Sequence, residues 1–246
     1  MKKILEITNL SKKYHTEKEE IDAIDNISFD IYEGEFVSIV GPSGCGKSTV
    51  LSILCNLINK SKGNISILNG YNIAYMLQSD SLLPFKTVLD NCLIGLKIKG
   101  LDSLENKKYV IKLLNTYGLG DFINKYPNNL SGGMRQRCAL IRTLAVKPDI
   151  LLLDEAMSAL DYQTRLNISD DIYKIIKNEK KTAIMVTHDL SEAISMSDRI
   201  IVLSKRPGKI KKIYNIKLDN PSTPINNRKD KMFSKYFERI WEDLNE

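Results

Sequence analysis

A glycine-rich run is the first part of the sequence whose residue types and spacing could bind a ligand. It follows an apolar segment, precedes a helical pattern and fits G-x-x-x-x-G-K-[ST], with the residues Gly41, Pro42, Ser43, Gly44, Cys45, Gly46, Lys47, Ser48 and Thr49. Glycines let the backbone curl with its N–H groups pointing inward, and a helix N-terminus adds partial positive charge. We therefore expect a polyphosphate site, with Lys47 bridging the β- and γ-phosphates and the Ser48 hydroxyl ligating Mg²⁺.

Two adjacent carboxylates end a second apolar run. Asp154 and Glu155 directly follow Ile150–Leu153, a position where packing gives no reason for acidic side chains. A phosphate-binding loop requires an acidic partner for its metal, so Asp154 is predicted to hold Mg²⁺ through a water molecule. Phosphoryl transfer is catalysed mostly by positioning and charge stabilisation. Glu155 is accordingly predicted to orient or deprotonate the water that attacks the γ-phosphate.

Composition limits the kind of protein that can present these residues. The chain has 246 residues, of which 43% are hydrophobic and 27% charged, which excludes disordered and collagen-like proteins. The formal net charge of +6 is modest and spread along the chain, so we expect no nucleic-acid partner. The four cysteines show no C-x-x-C spacing, and we expect free thiols in a reducing compartment rather than a zinc or redox site.

Hydropathy argues against a membrane span or an export signal. No apolar run approaches the roughly 18 to 20 residues that a spanning helix needs. The first ten residues, MKKILEITNL, lack the apolar stretch of a secretory signal. We therefore expect the chain to stay in the cytoplasm.

Apolar, β-branched segments predict the strands that must position the site. Three of them are nearly continuous apolar runs, as expected of central parallel strands buried on both faces: Phe36–Val40, Ile150–Leu153 and Ala183–Thr187. The other predicted strands are Leu5–Leu10, Ile27–Ile31, Ile65–Leu68 and Ile200–Leu203. Helical patterns lie between several of these segments, so the pattern predicts a wound α/β core.

Helical patterns replace strand patterns between Phe85 and Val146. We expect one helix to open at Thr87-x-x-Asp90, a second at Asp102-x-x-Glu105 and a third after Ser131. Near the end of the chain a broad apolar stripe recurs at helical spacing and comprises Met232, Phe233, Tyr236, Phe237, Ile240, Trp241 and Leu244. This terminal helix could pack on its own domain or dock on a partner, and the sequence leaves both readings open.

One further loop gives the sequence a family resemblance. Leu130–Arg137, LSGGMRQR, is similar to the signature loop of ATP-binding-cassette (ABC) ATPases, and the resemblance extends over nearly the whole chain. The family's other motifs follow in the same order: the aromatic Tyr14, the Q-loop Gln78 after Tyr75-Met76-Leu77, the D-loop Ser158-Ala159-Leu160-Asp161, and the switch histidine in Thr187-His188-Asp189.

The resemblance implies a fold and a division of the chain. The expected fold is a P-loop NTPase (RecA-like) wound sheet with an N-terminal antiparallel β region and an inserted helical subdomain. The ATPase domain would span residues 1–215, with its core at 1–84 and 146–215 and the helical subdomain at 85–145. Residues 216–246 would form a C-terminal tail with an amphipathic helix.

The resemblance also implies ATP and Mg²⁺ as cofactors and a role for each matching residue. Tyr14 would stack on adenine, Gln78 would contact Mg²⁺ or the attacking water, and His188 would hold the γ-phosphate and Glu155 in register. The implied catalytic set is Lys47, Gln78, Glu155 and His188, and the implied metal ligands are Ser48, Gln78 and Asp154. Ser131, Gly132, Gly133 and Asp161 would complete the nucleotide site. In the family the signature loop lies in the opposite subunit, which implies a head-to-tail homodimer with two ATP molecules between the copies.

Three segments resemble one importer branch, the ATPases for nitrate, sulfonate, taurine or thiamine-precursor pyrimidines: LSGGMRQR, LLPFKTVLDN at 82–91, and SKRPGKI at 204–210. This implies a transmembrane permease partner, an extracytoplasmic solute-binding protein acting indirectly, and a peripheral location on the cytoplasmic face of a bacterial membrane. The alternatives are a nontransport ABC ATPase for DNA repair, translation or iron–sulfur assembly, and a nucleotide-binding module without turnover.

The sequence departs from the family's usual pattern in the loop after Glu155. Ala156 and Met157 stand where the family usually has proline, which predicts a less rigid loop.

Overall fold

Strands in the computed structural model form two sheets, within the residues that it describes (1–15, 19–158 and 160–245). The strands are β1 (Lys3–His15), β2 (Glu20–Tyr32), β3 (Phe36–Val40), β4 (Lys62–Ile67), β5 (Ile73–Met76), β6 (Ile150–Asp154), β7 (Thr182–Val186), β8 (Arg199–Leu203) and β9 (Ile210–Asn215). The helices are α1 (Lys47–Leu54), α2 (Val88–Ile98), α3 (Leu104–Thr116), α4 (Gly132–Leu144), α5 (Tyr162–Asn178), α6 (Leu190–Met196), α7 (Pro224–Asn227) and α8 (Lys231–Asn245).

The larger sheet confirms the predicted wound core. Its strand order is β5-β6-β7-β3-β8-β9, and every pairing is parallel except that of β9 with β8. All residues of the three predicted central strands β3, β6 and β7 are buried. Because parallel strands end at the same edge, the loops after β3, β5, β6 and β7 lie together there.

The smaller sheet confirms the predicted antiparallel region, with the order β2-β1-β4. The sequence missed two strands of the larger sheet. β5 has only four residues, three of them partly exposed, so the apolar pattern there is weak. β9 is an edge strand that carries two adjacent lysines, which blunt its apolar signal as charges on edge strands commonly do.

Two hydrophobic clusters cover the two faces of the sheet, and β6 contributes to both. Leu151 and Leu153 pack with the helices α2, α3, α4 and α5. Ile150 and Leu152 pack with α1 and the antiparallel sheet, because successive side chains of a strand point to opposite faces. The helices of the insert thus share a core with the sheet, and the division into a core (1–84 and 146–215), a helical subdomain (85–145) and a tail (216–246) stays a prediction.

Two of the three predicted helix starts are confirmed. Thr87 caps α2 by accepting from the Asp90 N–H at 3.1 Å, and Ser131 caps α4 by accepting from the Met134 N–H at 3.3 Å. The prediction for α3 was wrong by one position: Ser103, not Asp102, is the capping residue, and its hydroxyl accepts from the Asn106 N–H.

The terminal helix α8 packs on its own chain. Ile240 is fully buried against β8 and α6, and Phe233 and Tyr236 pack around it. Trp241 remains 55% exposed beside Phe237. Among the described residues, no helix combines the length and apolar character needed to cross a membrane.

Candidate functional site

The glycine-rich loop joins β3 to α1 and leaves no space for side chains at two positions. A Cβ on Gly41 would lie 2.8 Å from the Cys45 Sγ, and one on Gly46 would lie 2.9 Å from the Ala23 carbonyl oxygen. Gly46 also has a φ of +101°, which an L side chain rarely adopts. The Lys47 Nζ folds back into this loop and donates to the carbonyl oxygens of Gly41 (2.8 Å) and Pro42 (3.0 Å). An ammonium group has three donors, so one N–H remains for a phosphate oxygen.

A cleft of about 540 Å³ opens over this loop. The predicted residues that line it are Tyr14, Ser43, Gly44, Gly46, Lys47, Ser48, Thr49 and Glu155, and His15, Ile21, Ala23 and Arg206 complete its wall. Tyr14 is 37% exposed, and its hydroxyl lies 3.5 Å from the Thr49 Oγ1. An exposed aromatic face beside a phosphate-binding loop suits a nucleotide base.

The predicted metal ligands Ser48 and Asp154 lie in contact. Asp154 is the last residue of β6 and only 6% exposed, and its Oδ1 accepts from the Ser48 Oγ at 2.8 Å. The Tyr75 hydroxyl donates to Oδ2 of the same carboxylate at 2.6 Å. Burial and the Asp154 charge raise the pKa of the Tyr75 phenol, which keeps it protonated as a donor. A hydroxyl and a carboxylate are the oxygen donors that Mg²⁺ prefers, so the residues present fit this metal.

Two of the predicted catalytic residues, Gln78 and His188, contact the carboxylate of a third, Glu155. The Glu155 Oε2 accepts from the Gln78 Nε2 at 3.1 Å, and its Oε1 lies 3.3 Å from the His188 Nδ1. These residues follow the neighbouring strands β5, β6 and β7, whose parallel pairing brings their ends together. The Glu155 backbone is left-handed, with a φ of +44°, and its N–H donates to the Val186 carbonyl at 2.9 Å. The sharp turn there directs the carboxylate toward both partners.

The loop after Glu155 is held by packing where the family usually has proline. Ala156 and Met157 are each 1% exposed, and the Ser169 hydroxyl donates to the Met157 Sδ at 3.2 Å. Asp161 caps α5 by accepting from the Thr164 N–H at 3.0 Å, and this hydrogen bond lowers the pKa of its carboxyl. The predicted D-loop residue Ala159 lies outside the described residues.

The predicted site residues therefore form two separate groups. Ser131, Gly132 and Gly133 lie at the start of α4, and Asp161 lies at the start of α5. None of these four residues is among the described residues that line the cleft. Gly133 is closely packed, since a Cβ on it would lie 2.7 Å from the Ile168 Cδ1. The first turn of α4 presents N–H groups that have no partner within the helix, as helix N-termini do. One chain thus carries an anion-binding loop and, elsewhere, a second helix N-terminus with small residues.

Sequence reasoning missed two contributors to the site. Tyr75 stands in the sequence as part of the run before Gln78, and a tyrosine on a short strand is indistinguishable from a core residue until its partner is known. Arg206 lines the cleft from the β8–β9 connection. The only signal for it was the segment 204–210, which the resemblance had already singled out.

We predict that Gly208→Ala weakens ATP binding. A Cβ on Gly208 would overlap the Cys45 carbonyl oxygen in the phosphate-binding loop, and the Gly208 N–H donates to Ala23 at 3.0 Å. The loop must shift, so we expect the KM for ATP to rise on the order of tenfold and the free energy of unfolding to fall by about 2 kcal/mol. Steady-state kinetics measure the KM for ATP, and urea denaturation measures the free energy of unfolding. The neighbouring exposed Lys209→Ala is the control, and equal behaviour of the two variants would contradict the prediction.

Comparison with known proteins agrees with this geometry. The family described as ABC transporter matches residues 24–158. Over 248 aligned residues the chain is 44% identical to the ABC transporter ATP-binding protein YtlC of Bacillus subtilis (strain 168), covering 98% of this chain and 95% of YtlC. It is 38% identical to the taurine import ATP-binding protein TauB of Roseobacter denitrificans (strain ATCC 33942 / OCh 114), covering 86% of this chain and 82% of TauB.

A solved structure is also similar over most of the chain. It is described as a dimeric post-hydrolysis state of the ATP-binding cassette MJ0796 bound to ADP and Pi. It covers 87% of this chain and 99% of its own, with a TM-score of 0.73 and 33% sequence identity. The chain therefore belongs to the ABC transporter family, as an ATP-binding subunit that hydrolyses ATP with Mg²⁺.

Proposed function

We propose that this subunit energises solute import through a membrane permease by binding ATP between two copies of itself and hydrolysing it. The observation that carries the proposal is the Glu155 carboxylate, held by Gln78 and His188 at the edge of the sheet where the phosphate-binding loop opens. A carboxylate oriented from two sides, beside a loop for polyphosphate, is placed to act on a water molecule.

Each side chain near the cleft has a role in this proposal. Lys47 and the loop amides bind the phosphates, and Tyr14 stacks on the base. Ser48, Asp154 and Gln78 would hold Mg²⁺, which when bound would offset phosphate charge. Glu155 orients the attacking water and accepts its proton, while Gln78 and His188 fix the carboxylate in place.

A second copy of the chain supplies the remaining residues. Ser131, Gly132 and Gly133 lie outside the cleft of their own chain, and the helix N-terminus that begins at the exposed Ser131 suits a γ-phosphate bound by another copy. The similar MJ0796 cassette is described as dimeric. We propose a head-to-tail homodimer with two ATP molecules, in which Asp161 of each D-loop lies near the shared interface.

The importer branch is supported by one relative and by three sequence segments. TauB is named a taurine import protein, and the segments LSGGMRQR, 82–91 and 204–210 resemble the same branch. Within 82–91, Leu82 is buried while Phe85 is 70% exposed just after Gln78. We propose that Phe85 contacts the permease at the cytoplasmic face of the membrane. The solute would belong to the nitrate, sulfonate, taurine or thiamine-precursor class, delivered by an extracytoplasmic binding protein.

Affinity purification from detergent-solubilised native membranes tests the importer proposal. We expect the tagged chain to retain a polytopic membrane protein, and Phe85→Asp to lose that protein while keeping ATP affinity, because Phe85 lies outside the nucleotide cleft. Leu57→Asp, at an exposed position that does not line the cleft, serves as the control for a lost apolar side chain. Recovery of nucleic acid, ribosomes or iron–sulfur assembly proteins instead would favour a nontransport ABC ATPase.

A further inference from the structure

The loop that directly follows Gln78 is hydrogen-bonded to the side of α4. Residues 79–83 belong to no helix or strand, and among them only Leu82 is buried. A loop of this kind has no ladder of backbone hydrogen bonds to fix its path. Its position therefore depends on the side chains that bind it from neighbouring elements.

Arg142, in the last turn of α4, binds two successive carbonyl groups of this loop. Its Nη2 donates to the Asp80 carbonyl oxygen at 2.6 Å, and its Nη1 donates to the Ser81 carbonyl oxygen at 2.7 Å. A guanidinium is planar and rigid, and hydrogen bonds from a charged donor are stronger than those between neutral groups. One side chain thus fixes the direction of the loop backbone at two adjacent residues.

Arg135 binds the same loop two turns earlier on α4, but more weakly. Its Nε donates to the Asp80 Oδ2 at 3.0 Å, and the two side chains are 39% and 29% exposed. An ion pair this open to water contributes about 1 kcal/mol or less. The backbone contacts of Arg142 are therefore the stronger link between α4 and the loop.

The loop backbone has an uncommon conformation where Arg142 binds it. Ser81 is left-handed, with a φ of +45°, and the Leu82 N–H donates to the Asp80 Oδ1 at 3.2 Å. A residue other than glycine in this region costs on the order of 1 kcal/mol and persists only when its surroundings hold it. The hydrogen bond from Arg142 to the Ser81 carbonyl is one such restraint.

Gln78 lies only two residues before the first carbonyl that Arg142 binds. Its side chain is exposed, so packing does not fix it, and its Nε2 donates to the Glu155 Oε2 at 3.1 Å. A hydrogen bond of this length weakens steeply when the donor moves by more than about half an ångström. A displacement of the loop at Asp80 would therefore separate Gln78 from Glu155.

We propose that Arg142 is a positioning residue for ATP hydrolysis: it fixes the backbone of Asp80 and Ser81 to α4 and thereby holds Gln78 against Glu155. The inference rests on the role proposed above for Gln78. Arg142 is not among the described residues that line the nucleotide cleft, so its effect falls on the rate of hydrolysis rather than on ATP binding.

The test compares Arg142→Met with Lys108→Met, a matched loss of one positive charge at an exposed position on α3. We expect Arg142→Met to lower kcat about tenfold, with the KM for ATP changed by less than about twofold. Arg142→Lys keeps the charge but not the pair of parallel N–H groups, so its kcat should fall only about threefold. Lys108→Met should match the wild type, and a wild-type kcat in Arg142→Met overturns the proposal.

A double-mutant cycle with Gln78→Ala separates positioning from a general structural role. If Arg142 acts through Gln78, Arg142→Met should lower kcat by less than about twofold when Gln78→Ala is already present. A further tenfold loss in that background would show that Arg142 acts elsewhere, and would overturn the proposal. Should Arg142→Met not fold, Arg142→Lys enters the same cycle: its threefold loss must disappear with Gln78→Ala, and a wild-type rate or a persisting loss overturns the proposal.

Hydrogen exchange tests the contact without reference to turnover. Amide exchange in residues 79–83 should be at least about fivefold faster in Arg142→Met than in Lys108→Met, and equal exchange overturns the proposal. Gln78→Ala alone distinguishes the two levels of the argument. Wild-type turnover in Gln78→Ala refutes the role given to Gln78 in the proposed function and this inference with it. A slow Gln78→Ala beside a fully active Arg142→Met refutes only the inference about Arg142.

Discussion

Replacement of Glu155 by glutamine is expected to lower ATP turnover by about a thousandfold while leaving ATP binding intact. The amide has nearly the same shape as the carboxylate. Its one oxygen can still accept from the Gln78 Nε2, and its NH2 then faces the His188 Nδ1, at the positions where the Glu155 contacts are 3.1 and 3.3 Å. It cannot take a proton from water, so the chemical step fails although the loop that binds the phosphates is unchanged.

The same variant should accumulate as a dimer with ATP. If triphosphate is bound by the phosphate-binding loop of one copy and by the start of α4 of the other, blocking hydrolysis preserves the contact between them. Size-exclusion chromatography with light scattering, with ATP and with ADP, measures this directly. Glu238→Gln, at an exposed position on α8, is the control. Rapid turnover by Glu155→Gln, or a variant that stays monomeric with ATP in the presence of its permease, would contradict the assignment.

The second large effect is expected at a residue that lies away from the cleft of its own chain. Ser131→Arg should reduce turnover by more than about a hundredfold, while the ATP affinity of the monomer stays close to that of the wild type. The arginine would occupy the space in front of the α4 N-terminus, where the small side chains leave room for a phosphate. Ser131→Ala, which removes the hydroxyl that caps Met134 but adds no bulk, is the control for loss of the cap alone.

Mixing two inactive variants makes this prediction specific. Lys47→Ala destroys the phosphate-binding loop, and Ser131→Arg destroys the opposing surface. In a heterodimer of the two, one site combines the intact loop of one copy with the intact α4 N-terminus of the other. Random pairing of equal amounts should therefore restore about a quarter of wild-type turnover. A mixture as inactive as its components would show that both elements act within one chain.

Local patterns predicted the parts of the site that depend on consecutive residues. The loop at 41–49 and the acids after β6 were evident because strand, loop and helix signals occur in a fixed order along the chain. The start of α3 was misplaced because Asp102 and Ser103 are both good capping residues, and Glu105 three positions after Asp102 favoured the wrong one. Such one-residue choices depend on packing that a short window does not contain.

Contacts between distant segments could not be predicted in the same way. Tyr75 donates to Asp154 only because β5 lies beside β6 in the sheet, 79 positions apart along the chain. α7 is fixed to α5 and α6 by hydrogen bonds of Ile225 and Asn227, and neither residue belongs to a recognisable motif. The meeting of Gln78, Glu155 and His188 followed from the family resemblance, not from their spacing.

The division of β6 between the two hydrophobic clusters has a mechanical consequence. Its side chains pack alternately in the helical layer and in the layer beneath the phosphate-binding loop; its last residue is Asp154, and Glu155 follows directly. A permease that moved these helices would therefore apply force to the strand that ends at the catalytic acids. The force would have to pass along no more than five residues, the length of β6, to reach the site of hydrolysis.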